Sequence, residues 1–171
     1  MRLIGIGCAL FAIACGGDDK AKGDAFASAY VEVVKKVGTL CQKKRELLLQ
    51  PASAEKLQLE TAIAISMGRA IANYTLPEAP SSMSSCRADA VAALDALKTA
   101  LAPVEKPATE LKGQSVHIVN AAIRGEWDKA KEPATKALRD LARSWTSCHD
   151  QADQAGLSAA PRMLIPHLMG C

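Results

Sequence analysis

The chain has 171 residues, 49% of them apolar and 23% charged, enough for one domain with a sizeable core. Its 21 basic and 18 acidic residues are too evenly balanced for a nucleic-acid binder, and 4% aromatics leave few platforms for stacking bases or sugars. Alanine, leucine, lysine, glutamate, glutamine and arginine dominate, all good helix formers, and no run of alternating β-branched residues marks a strand. The first element in chain order is the apolar run from Leu3 to Ala14, 12 residues long. A bilayer-spanning helix needs about 20. The run follows Met1-Arg2 and stops at a small residue before a cysteine, which is the pattern of a secretory leader.

Within that leader, Ala12-Ile13-Ala14-Cys15-Gly16 resembles the lipobox of bacterial lipoproteins. The family usually has leucine at the position of Ala12. Cys8 is a poorer match, because it leaves almost no apolar segment upstream. The resemblance implies cleavage after Ala14, acylation of Cys15 and a membrane partnership through the lipid. It also implies a location at the cell membrane or outer membrane, facing the periplasm or the exterior. Gly16-Gly17 lacks the aspartate that holds enterobacterial lipoproteins at the inner membrane, which favours the outer one. The alternative is an ordinary secretory leader that happens to contain a cysteine. The expected organisation is a signal peptide over 1–14, a lipidated flexible tether over 15–23 and a helical domain over 24–171.

Helix one is expected from Asp24 to Leu49, with Phe26, Tyr30, Val33, Val37 and Leu40 on its inner face. Helix two starts at Ser53 as N-cap, with Leu59, Ile63, Met67, Ala70 and Tyr74 inward, and ends in Leu76-Pro77-Glu78-Ala79-Pro80. Helix three, capped by Ser81 or Ser82, turns Met83, Ala90, Leu94, Leu97 and Leu101 inward and breaks at Pro103 to Pro107. Helix four runs from about Thr109 to Arg124, with Leu111, Ile118, Val119 and Ala122 inward and Gly125 as a stop. Helix five continues from Glu126 to Gln154 on Ala134, Leu138, Leu141, Trp145, Cys148 and Ala152, with Pro133 as a kink or as its true first residue. The apolar tail, broken by Pro161 and Pro166, reads as a packed cap. The fold class is all-α: an antiparallel bundle of four to five helices with a disulfide-pinned C-terminal tail.

Beyond Cys15, the four cysteines Cys41, Cys86, Cys148 and Cys171 are an even set, which in an exported chain suggests two disulfides. Alternating helix directions favour Cys41–Cys148 with Cys86–Cys171. If helices three and four are one rod, the pairing becomes Cys41–Cys171 with Cys86–Cys148.

One stretch offers chemistry. Residues 121–150, ending Trp145-Thr146-Ser147-Cys148-His149-Asp150, resemble the last helix of cytochrome c′ proteins, exported four-helix bundles. There a Cys-x-x-Cys-His run bonds haem c through two thiols and ligates iron through the histidine. The resemblance assigns Cys148 to the second thioether and His149 to the iron, while Trp145 stands where the first thiol belongs. Otherwise no cofactor or metal is expected: His117, His149 and His167 lack the spacing that pairs two ligands on one helix face. No nucleophile elbow or phosphate loop appears. The expected role is non-enzymatic, an envelope interaction or structural module that meets another envelope protein; the alternative is a haem protein for electron transfer or gas binding.

Overall fold

The structure is a computed structural model and describes residues 9–157, with side chains from residue 17 onward. Cys8 and the tail with Cys171 and His167 lie outside the described residues, as does the side chain of Cys15. Four helices follow in order: α1, Ala9–Leu48; α2, Ala54–Ala72; α3, Ser84–Glu110; and α4, Val116–Gln154. A 3-10 turn at Ser81–Met83 leads into α3. The described residues contain no strand, so the chain is an all-α helical bundle.

Cross-helix contacts give the directions. Tyr74, just past α2, donates to the Ala29 carbonyl of α1 at 2.7 Å. Arg69 of α2 pairs with Glu105 of α3 at 2.7 Å, and the Tyr74 carbonyl, farther along the chain, accepts from Lys98, earlier in α3, at 2.8 Å. Cys86 opens α3 and bonds Cys148 near the end of α4. Tyr30, early in the part of α1 that enters the bundle at Gly23, reaches Ser144, late in α4. Each helix therefore runs antiparallel to the next, and α4 returns beside α1. Long cations tie the loops shut: Lys56 donates to the Gln50 carbonyl at 2.8 Å, and Arg87 to the Pro77 carbonyl at 2.6 Å.

The inner faces of helices one, three and five are where expected. Phe26, Tyr30, Val33 and Val37 of α1 are buried, with Leu40 half-buried. Met83 in the 3-10 turn and Ala90, Leu94, Leu97 and Leu101 on α3 are buried, and the whole stripe from Ala134 to Ala152 is buried on α4. Ser53 caps α2 by accepting from the Lys56 amide at 3.0 Å. Gly156 (φ +63°) ends α4 in a Schellman turn, its amide bonded to the Asp153 carbonyl and that of Leu157 to the Ala152 carbonyl.

Three expectations are corrected. First, the described residues form four helices, within the four to five expected, but the helices break elsewhere: the expected breaks at Pro103–Pro107 and Gly125 lie inside α3 and α4. A mid-helix proline costs about 3 kcal/mol. Here the turn that holds both prolines buries Val104 and Pro107, which offsets that cost. The break falls instead at Gly113, whose φ of +96° suits glycine alone. Pro133 lies within α4 as well. Second, the buried stripe of α2 is Thr61, Ala64, Met67 and Ile71, turned from the expected one, and Leu59 is exposed. Ile118 of the expected fourth helix is exposed too, and Ile123 takes the core position. Third, the segment expected as a flexible tether lies within α1. Its residues 17–22 are exposed on every side, and the helix joins the bundle at Gly23.

Gly125 is exposed, and a Cβ there meets nothing within 4 Å. Gly125→Ala is therefore expected to stabilise the fold by up to about 1 kcal/mol, read as a rise in the urea midpoint with an unchanged slope.

Candidate functional site

The residues that carry chemistry gather at the end of the bundle where α1 enters. Antiparallel packing of α3 on α4 sets Cys86 and Cys148 with Cα atoms 5.2 Å apart, both fully buried, and they form a disulfide. This replaces the favoured pairing of Cys41 with Cys148 and of Cys86 with Cys171. With one helix fewer, α4 reverses and its C-terminal end comes back to the start of α3. Cys41 is disulfide-bonded as well, to a partner outside the described residues.

The sulfur of Cys148 is thus committed to Cys86, and no thiol is left there for a haem vinyl group. Trp145, in place of the first thiol, is core: it is buried and meets the Tyr30 ring edge-on at 5.3 Å. His149 is one-fifth exposed, and its Nδ1 lies 3.2 Å from the Asp150 carboxylate. Two residues on, Gln151 Nε2 donates to Ser85 Oγ and Ser147 Oγ, bridging α3 and α4 beside the disulfide. Among the described residues no three histidine, cysteine, aspartate or glutamate side chains gather as a metal set. His117 is exposed near the start of α2, in a shallow hollow shared with Leu57, Thr61 and Arg124.

A buried polar contact that the sequence reading missed joins α1 to α4. Tyr30 Oη donates to the Leu141 carbonyl at 3.1 Å and lies 2.6 Å from Ser144 Oγ. Ser144 shares a face with Ala137, Leu141 and Cys148 at steps of four and three, and that spacing was the available signal. Burial drives the Tyr30 phenol well above its ordinary range. Burial, then the charge of Glu32, pushes Tyr74 up to about 12. The fold favours both neutral phenols. Their stabilisation is complete below the unfolded value near 10 and, for Tyr74, is lost as pH rises through about 12. The chain has two tyrosines. Absorbance at the tyrosinate band is expected to stay flat through pH 10 in native protein and to rise there in denaturant.

Along α3 and α4 runs an open groove of about 530 Å³, with Asp89, Ala92 and Ala96 on one bank and Lys136, Asp140 and Arg143 on the other. Lys136, hydrogen-bonded at 2.8 Å, holds the Asp140 carboxyl below the usual carboxylate range, and the local charges neutralise one another. The opposite end of the bundle, away from the entry of α1, exposes apolar side chains. Leu48 and Leu49 at the end of α1 are 60% and 87% exposed, and Val116 and Ile118 at the start of α4 are 70% and 51% exposed. No helix among the described residues is long and apolar enough to cross a membrane. No protein-family model, curated protein or solved structure matches the chain.

Proposed function

We propose that the chain is an exported lipoprotein, cleaved after Ala14 and acylated on Cys15, whose bundle is a non-enzymatic envelope module. The observation that carries this reading is the position of Ala12-Ile13-Ala14-Cys15-Gly16 directly before a solvent-exposed stalk. Residues 17–22, Gly-Asp-Asp-Lys-Ala-Lys, are all exposed and form a helical stalk about 9 Å long. A buried disulfide suits a chain that matures in an oxidising compartment. Two or more acyl chains hold such a domain stably at a membrane, where one is marginal. The apolar end with Leu49 and Ile118 then points away from the bilayer, toward a protein partner in the envelope. The haem reading is set aside because Cys148 is bonded to Cys86.

In a bacterial host that processes lipoproteins, wild-type chain is expected to incorporate labelled palmitate and to sediment with membranes. Cys15→Ser is expected to lose the label and appear in the soluble envelope fraction. A wild-type product with Met1 intact and no acyl mass overturns the reading. For the partner, Leu49→Asp with Ile118→Asp is expected to abolish a crosslinked species that wild type forms in intact envelopes. A wild type that forms none removes the interaction role.

A further inference from the structure

The hollow between the first turns of α2 and α4 has a volume of about 290 Å³. Each bank is one face of a helix: Leu57, Gln58 and Thr61 on α2, and His117, Asn120 and Arg124 on α4. Ala121, between the longer side chains of α4, keeps the floor open. The Thr61 hydroxyl is bonded to carbonyls of its own helix. The Gln58 and Asn120 side-chain amides, the His117 ring and the Arg124 guanidinium have no hydrogen-bond or ion-pair partner among the described residues. No carboxylate lines the hollow. The groove between α3 and α4 differs, because there Asp140 already pairs with Lys136 and Arg143.

We propose that this hollow seats an acidic side chain of the protein partner, carried on an extended segment with apolar neighbours. The inference rests on the interaction role proposed above and names the chemistry of the partner.

Three features select that occupant. Arg124 keeps its charge at every working pH, and its planar fork matches a carboxylate; the His117 ring adds an N–H in either protonation state. Gln58 and Asn120 each offer a donor and an acceptor, the pair that an extended backbone presents and a helical one has already used. The volume lies at the lower edge of the range for small-ligand sites, about 300–1,000 Å³, so it holds a side chain and its backbone rather than a cofactor. Val116 and Ile118, exposed on either side of His117 in the chain, supply the apolar contact for the neighbours of that acid.

The probe is the capped peptide acetyl-Ala-Leu-Glu-Leu-Ala-amide, titrated into the purified full chain and followed by NMR. The side-chain amide signals of Gln58 and Asn120 are expected to shift and saturate. With glutamine in place of the glutamate, or with Arg124→Gln in the chain, affinity is expected to fall at least about tenfold, the loss of a charge-assisted hydrogen-bonded pair. Arg124 is exposed, so its substitution leaves the core untouched, and equal affinity overturns the inference. Equal saturating shifts with sodium acetate overturn the peptide as occupant. In intact envelopes, a wild-type crosslink that persists at full yield in Arg124→Gln overturns the hollow and leaves the interaction role standing. If wild type forms no crosslink, that role falls and the peptide titration still decides the hollow.

Discussion

Tyr30→Ala is expected to lower the unfolding free energy by about 3–5 kcal/mol, the range for emptying a buried aromatic site. Tyr30 is fully buried, its ring lies 5.8 Å from that of Phe26 and 5.3 Å from that of Trp145, and its hydroxyl bonds the Leu141 carbonyl and Ser144. These side chains span the seam between α1 and α4. Tyr30→Phe keeps the rings in place and removes only the hydroxyl, so about 1–2 kcal/mol is expected. Urea denaturation measures both. If the phenylalanine variant falls as far as the alanine one, the hydrogen bonds rather than the rings hold α1 in place.

The second large effect is expected from Cys86→Ala combined with Cys148→Ala. The disulfide closes a loop with a sequence separation of 62, and removing it frees that loop in the unfolded chain. The chain-entropy argument gives a loss of about 4 kcal/mol. For a domain of this size each kcal/mol moves the melting temperature by roughly 2–4 °C, so a fall of about 8–16 °C is expected in calorimetry. A shift of 2 °C or less means that α3 and α4 are already held in register without the bond. Both alanines fit the alanine-lined α3–α4 seam around Ala90, Ala93 and Ala137, so the comparison isolates the cross-link.

The bundle was legible where one face of a helix is apolar and the other is charged. The stripes from Phe26 to Val37 and from Ala134 to Ala152 have one solution at helical spacing, and the structure adopts it. Helix α2 has two. Leu57, Leu59, Ile63, Ala64, Ile65, Met67 and Ile71 surround it, so periodicity allowed Leu59 to face inward as readily as Thr61. Thr61 won because its hydroxyl bonds the Leu57 and Gln58 carbonyls of its own helix and adds no unmet polar group to the core. The breaks at Pro103 and Gly125 failed for a related reason. Both residues weigh against a helix locally, and burial of neighbours such as Val104 and Ile123 outweighs them. The disulfide partners depended on helix number. Reading five helices instead of four put Cys148 at the wrong end.

Disulfide and turn together have a practical consequence. The turn at 112–115 is exposed, while Cys86 and Cys148 clasp the other end of the same hairpin. A protease that nicks this turn, for instance after Lys112, releases no fragment. The two pieces travel as one molecule on a gel and part only when a reductant is added. Damage at that site would therefore be invisible to any gel run without thiol, and a protease working there alone would leave both pieces joined.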